Sequence, residues 1–224
     1  MIAVIIPSRM SSKRLPGKAM ADIHGKSLIQ RVYEGCGTEH PVYVATPDDA
    51  VCDLVAEFGG LAVRTGPSET MHGRVVEANK AIGAGIVVLV QGDEPMVKPR
   101  MVKQALTGMY DAGASMLVRK KTIKEDGPES IKVIVDSDNE VRYITRSLAP
   151  GAQYKAIGVK AFAASVLEKF PLLPITPEEA GEGIEELRFI MNGYPIRAVK
   201  TSYEALSVDT NKDLEKVRAT WKTK

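Results

Sequence analysis

MIAVIIPSRMSSKRLPGK, residues 1–18, begins as an apolar run, stops at Pro7 and gives way to a short basic segment. Arg9, Lys13, Arg14 and Lys18 follow in quick succession, with Ser8, Ser11, Ser12 and Gly17 among them. A buried strand that opens into a small, basic, glycine-containing loop is how an α/β sheet presents phosphate-binding groups at its edge. Four cations on one short loop repel one another unless something anionic lies among them. The alternative is a solvated basic turn. The loop predicts a polyphosphate ligand.

Working outward, short apolar runs alternate with helical patterns. Strands are predicted over 2–6, 41–46, 61–64 and 86–91, and helices over 27–36, 48–58, 74–82 and 99–112. That alternation implies parallel strands with helical crossovers on both faces. The second half differs. MLVRKK, IKVIVD and VRYITR lie close together, with turn signals at Asp126-Gly127-Pro128 and at 136–139. They predict antiparallel β structure over about 115–162, closed by a strand at 154–162. Thr176-Pro177-Glu178-Glu179 starts a helix predicted to run to Asn192-Gly193. A strand at 196–200 and a helix at 210–219 complete the pattern. No repeat or linker divides the chain, so residues 1–224 are expected to form one domain.

Composition narrows the function. The 224 residues are 44% hydrophobic and 26% charged, with a formal net charge of +2, as in ordinary globular proteins. Near-neutral charge and 5% aromatic residues argue against a nucleic-acid partner. No apolar run approaches the roughly 18 residues that a membrane span needs. Two cysteines, Cys36 and Cys52, make no disulfide framework and fit a reducing compartment. With no basic n-region at the start, a cytoplasmic location is expected.

Two carboxylates carry further signals. Asp93, in Gln91-Gly92-Asp93-Glu94-Pro95, follows an apolar strand at the place where open α/β sheets bind ligands. Facing a polyphosphate it would hold Mg²⁺; otherwise it caps the next helix. Asp209, in Ser207-Val208-Asp209, is either a second metal ligand or a helix-start residue.

Read together, SRMSSKRLPGK, QGDEP and VDTNKDLEKVRA resemble the signature segments of cytidylyltransferases that activate acidic sugars as CMP conjugates, above all the 3-deoxy-manno-octulosonate (Kdo) cytidylyltransferases. The likeness continues through ADIHGKSLIQRVYE, ESIKVIVDSDNEVRYITRS and TPEEAGEGIEELRFIMNG. It implies a three-layer nucleotidyltransferase fold of Rossmann-like topology, with the antiparallel segment as an extension and a homodimer interface. It also implies Arg9, Ser12, Arg14 and Lys18 around the triphosphate of CTP, with Arg14, Lys18 and Asp93 catalytic. Asp93 and Asp209 would hold Mg²⁺, and Gln91 and Arg146 would lie beside the acid. The implied reaction is in-line substitution at the α-phosphorus by a hydroxyl of the acid, which needs no histidine base. His24, His40 and His72 are accordingly read as surface or turn residues.

The departures concern the acid. Where the Kdo enzymes carry a His and a Tyr in one strand, this chain has Ala156 and Lys160, and their late Glu-Gln pair corresponds to Glu185-Glu186. The stretch 148–155 is shorter than theirs. Lys160 either meets an extra negative charge on the substrate or is a solvent-facing strand lysine bonded to Glu185 or Glu186. The segment 64–74 also differs from theirs and is nearer in shape to spore-coat polysaccharide cytidylyltransferases; Ser68 and Arg74 are its candidates for the base pocket. The acid is thus a 2-keto sugar acid of the Kdo type or a relative such as an amino-Kdo, a nonulosonic acid or a phosphonate. A nucleotide-sugar glycosyltransferase would need a DxD metal motif, which QGDEP is not. A catalytically inactive nucleotide-binding module fits poorly with Lys18, Asp93 and Asp209 all present. An NAD-binding domain lacks its GxGxxG.

Overall fold

The computed structural model describes residues 1–221 except 13, 110, 111, 123, 124, 126 and 205. The predicted loop cation Lys13, the end of the predicted 99–112 helix at Tyr110 and Asp111, and the turn residue Asp126 lie outside the described residues. In chain order the elements are β1 (Ile2–Pro7), β2 (Asp22–Ile23), β3 (Lys26–Ser27), α1 (Leu28–Gly35), β4 (Val42–Thr46), α2 (Asp49–Glu57), β5 (Leu61–Arg64), α3 (Met71–Ile82), β6 (Ile86–Val90), α4 (Pro99–Thr107) and β7 (Ala114–Lys120). Then come β8 (Lys132–Val135), β9 (Val141–Thr145), β10 (Tyr154–Ala163), α5 (Ala164–Leu167), α6 (Pro177–Glu182), α7 (Glu186–Met191), β11 (Arg197–Lys200) and α8 (Asn211–Thr220).

The central sheet runs β11-β7-β10-β6-β1-β4-β5. β1 pairs in parallel with both β4 and β6, and β11 pairs in parallel with β7. β10 runs antiparallel between β6 and β7. The apolar run of β1 is continuous because both faces of the sheet are covered. Ala3 and Ile5 pack with α3, α7 and Phe170 on one face. Val4 and Ile6 pack with α1, α2 and α4 on the other. This is the two-residue period of a strand, with an apolar layer on each side. A third, smaller cluster joins Ile23 and Leu28 to Val208 and to Leu214 and Val217 of the C-terminal helix. It draws the Asp209 segment against the first loop.

The α/β class with a mostly parallel sheet and an antiparallel part is as predicted; several boundaries differ. Two strands assigned to the antiparallel extension, β7 and β10, lie inside the central sheet, where residues 114–118 are buried throughout. Only β8 and β9 form an arm, attached to β10 at Tyr154 and Lys155. The late helix is two helices. α6 ends at Gly183, which takes φ +63° and bonds back to the Glu179 carbonyl, a conformation that favours glycine. α3 starts three residues earlier than predicted, at Met71, because the Thr70 side chain caps it by accepting from Gly73 N–H. α4 ends at Thr107, short of 112. The hairpin β2-β3 was not foreseen.

Candidate active site

The first loop is tied down at both ends. Ser8 N–H donates to the Ala45 carbonyl, Met10 N–H to Asp48 Oδ2 at 2.8 Å, and Gly17 N–H to the Met10 carbonyl. Lys18 then opens a short 3₁₀ turn, and its ammonium lies between two carboxylates. Nζ stands 2.9 Å from Asp93 Oδ2, 3.2 Å from Asp209 Oδ1 and 3.1 Å from the Val208 carbonyl. A backbone bond from Val208 N–H to the Asp93 carbonyl holds the two acidic segments together. Burial disfavours the Lys18 charge, but Asp93 and then Asp209 outweigh it and raise its pKa above the ordinary lysine value.

The other loop cations are freer. Arg14 pairs with Asp209 at 2.9 Å with its side chain 58% exposed. Arg9 is exposed and has no hydrogen bond or ion pair among the described residues. Its charge nevertheless reaches Arg74, whose pKa is lowered first by burial and then by Arg9. Two cations facing one hollow make a place for an anion.

The donor set suits a hard divalent cation. Asp93 Oδ1 is buried without a hydrogen-bond partner. Among the described residues no cluster of three or more His, Cys, Asp or Glu side chains has the spacing of a metal cage. Two carboxylates completed by substrate phosphates are the usual protein share of a Mg²⁺ site.

Two cavities meet at these carboxylates. The larger, of about 680 Å³, is lined by the loop residues Arg9, Ser12, Arg14 and Lys18 and, across from them, by Ser68, Arg74 and Glu185. The smaller, of about 180 Å³, is lined by Glu94, Arg146, Ala156, Lys160 and Glu186 among others. Arg14, Gln91, Asp93 and Asp209 line both.

The smaller cavity is built around an irregular stretch of β10, where the register against β7 shifts between Ala156 and Lys160. Gln91 N–H donates to the Gly158 carbonyl, and Gly158 N–H donates to Glu94 Oε1. A Cβ at position 158 would lie 2.6 Å from Glu94 Cγ and 2.7 Å from Gln91 Oε1, so only glycine allows this approach. Glu94 is buried with Oε2 unpartnered. Burial first, then the Asp93 charge, push its pKa up to about 7.

Lys160 bonds Glu186, with both side chains almost fully buried. The partner is one of the two acids expected in the strand-lysine reading, but the pair is in the interior, not at a solvent-facing strand surface. Burial opposes the Glu186 charge, but Lys160 and then His72 hold its pKa down. Glu185 faces the larger cavity rather than the smaller. It accepts from Met71 N–H at 2.7 Å and His72 N–H at 2.8 Å, and bonds His72 Nδ1 at 2.8 Å. Against the cost of burial, these bonds hold its pKa at about 2. Arg74 donates to Thr65 Oγ1 and the Ser68 carbonyl, bracing the 65–70 turn.

One histidine was misread. His72 is fully buried, packed against Phe162, Phe170 and Phe189. A helix predicted from Arg74 leaves His72 in a turn, whereas with Thr70 as its cap the helix takes His72 into its first turn. Glu94 was also passed over, though it stands next to Asp93 in QGDEP.

The comparisons agree with this geometry. The family model described as "Cytidylyltransferase" matches residues 3–201. The chain is 37% identical to 3-deoxy-manno-octulosonate cytidylyltransferase of Geobacter metallireducens, over 96% of each chain. It is 35% identical to the protein of the same name from Parabacteroides distasonis, again over 96% of each. Among solved structures, CMP:2-keto-3-deoxy-manno-octonic acid synthetase complexed with CTP superposes with a TM-score of 0.91 at 35% identity, covering 98% of this chain and 97% of that one. With the sheet, the basic loop and the paired carboxylates all in place, the chain belongs to the cytidylyltransferase family.

Proposed function

We propose that this chain transfers CMP from CTP to a hydroxyl of an acid sugar and releases pyrophosphate, with one cavity for each substrate. The observation that carries this reading is the meeting of the two cavities at Asp93 and Asp209. The larger takes CTP, its triphosphate along Arg9, Ser12, Arg14 and Lys18 and its base end toward Ser68 and Arg74. The smaller takes the acid. Arg146 meets its carboxylate, and Gln91, Lys160 and Glu186 bond its hydroxyls, while Glu185 stands behind them as the anchor of α3.

The acid hydroxyl attacks the α-phosphorus in line, one P–O bond forms, and the bond to pyrophosphate breaks. Arg14 and Lys18 neutralise charge gathering on the leaving group. Positioning and electrostatics supply most of the rate, and no covalent enzyme intermediate is formed. Asp93 and Asp209 are the residues that would hold Mg²⁺, which supplies charge neutralisation and a lowered hydroxyl pKa when bound. Among the described residues no histidine lines either cavity, in keeping with a reaction that uses none as base.

Ala156 and Lys160, where the sequence departs from the Kdo enzymes, both line the smaller cavity. This supports a 2-keto sugar acid of the Kdo type or a close relative of altered substituents. The enzyme is read as cytoplasmic; among the described residues no helix is long and apolar enough to cross a membrane. It is also read as a homodimer through the β8-β9 arm, which light scattering on the purified protein tests directly.

Pyrophosphate release with CTP, UTP, ATP and GTP against a panel of Kdo, amino-Kdo, nonulosonic acids and phosphonates tests the function. Release is expected with CTP and one acid of the panel. Asp93→Asn should keep the fold by circular dichroism and lose about a thousandfold or more in turnover. Wild-type turnover in that variant would remove Asp93 from the site.

A further inference from the structure

Outside the lining of the two cavities, Lys132 is a lysine with no solvent exposure at all. It lies on β8, opposite Thr145 of β9 and Lys155 of β10. Its ammonium donates to the Gly127 carbonyl at 2.7 Å, the Ser130 carbonyl at 3.0 Å and the Arg146 carbonyl at 2.7 Å. Those carbonyls belong to the two segments that carry Glu129, Ile131 and Arg146 to the wall of the smaller cavity. Arg146 is also held from its other side. Its N–H donates to Glu182 Oε2 at 2.8 Å, and Thr145 Oγ1 donates to Glu182 Oε1 at 2.5 Å. Arg146 is therefore fixed at both its N–H and its C=O, while its guanidinium has no partner among the described residues.

A buried ammonium is costly unless its donors are met, and it would serve no purpose in a plain arm that apolar residues could fill. We propose that Lys132 and Glu182 are positioning residues that set the main chain of Arg146 so that its guanidinium meets the carboxylate of the acid substrate. The proposal rests on the reading of the smaller cavity as the acid site. It assigns no contact with substrate to Lys132 or Glu182. Their effect reaches the acid through Arg146, and leaves the triphosphate wall untouched because no residue of that wall shares these bonds.

The test compares KM for CTP with KM for 3-deoxy-manno-octulosonate in the wild type, Arg146→Ala, Lys132→Met, Glu182→Ala and Glu182→Gln. Arg146→Ala should raise the acid KM about 10- to 100-fold. Lys132→Met and Glu182→Ala should each raise it about tenfold or more, since a small misplacement of a binding group is enough. The CTP KM should stay within about twofold in all of them. Glu182→Gln should be near wild type, because its amide can still accept from Arg146 N–H while its NH₂ donates to Thr145 Oγ1. If Lys132→Met does not fold, the Glu182 pair carries the test alone. The acid is 3-deoxy-manno-octulosonate or whichever acid of the panel the wild type turns over; a wild type that turns over none of them, or Arg146→Ala with unchanged acid KM, overturns the acid-site reading and the proposal with it. A raised acid KM in Arg146→Ala with none in Glu182→Ala overturns the proposal alone. Equal rises in both constants, or Glu182→Gln as impaired as Glu182→Ala, also overturn it, since they mark general loosening.

Discussion

On the loop side of Asp93 two cations lie open: Arg9 is exposed and unpaired, and Arg14 holds Asp209 from a largely solvated position, while Lys18 is already held between the carboxylates. On the strand side, apart from the Arg146 guanidinium, the charges are interior and already matched. Lys160 meets Glu186, Arg188 meets Glu179 at 2.6 Å, and Lys132 meets carbonyls. The two walls meet different demands. A triphosphate brings several negative charges, and exposed cations keep their hydration until it arrives. An acid with a single carboxylate and many hydroxyls needs fixed donors and acceptors, which only a rigid wall provides. In the strand wall the desolvation of charge is met during folding. At Arg9 and Arg14 it is deferred to binding.

The strongest attempt to break this contrast is Lys160→Ala. It leaves the Glu186 carboxylate buried without its partner and should cost about 3–5 kcal/mol of stability, read by urea unfolding. Replacing both residues by methionine should recover most of that loss. A single variant as stable as the wild type would mean that the pair is solvated, and the contrast would fail.

A smaller effect is expected at Glu185, with a sign that pH reveals. Its pKa is held at about 2, below the usual value of 4.5, by His72 and two backbone N–H groups. A depressed carboxylate stabilises above its unfolded pKa and loses that contribution as pH falls through the folded one. Glu185→Gln should therefore be less stable than wild type by about 3 kcal/mol at pH 7, with the gap roughly halved at pH 3. A gap that does not change with pH would show that the carboxylate's charge plays no part.

The same contrast explains what the sequence revealed. Arg9, Arg14 and Lys18 stand within one short loop after a strand, so their meeting is local and legible. Asp93 is legible as a strand-end acid and Asp209 as a helix-start residue or metal ligand, and their convergence comes from a recognised combination of motifs. The strand wall is non-local. Lys160 and Glu186 lie 26 positions apart, Lys132 and Arg146 14, and Glu182 reaches Arg146 across 36. No periodicity announces such pairs. A lysine inside IKVIVD reads as an exposed strand residue until the burial of β8 between β9 and β10 is known. His72 failed for a related reason: a helix start misplaced by three residues turned a core ring into a turn residue.

Arg9→Ala should have the smallest effect on stability and so tests the loop half of the contrast. Arg9 is exposed and holds no partner, so the folded state loses nothing by its removal, and the change should stay within about 0.5 kcal/mol. A slight gain is reasonable, since its charge disfavours that of Arg74. Binding should respond instead. Loss of one charged donor to the triphosphate should raise the KM for CTP about tenfold and leave the acid KM unchanged. The rise should grow smaller with added salt, because exposed charges are screened while the buried wall is not. A stability loss of 2 kcal/mol or so, or an acid KM that rises with that of CTP, would mean that Arg9 supports the fold of the site, and the loop would then be pre-matched in the same way as the wall opposite it.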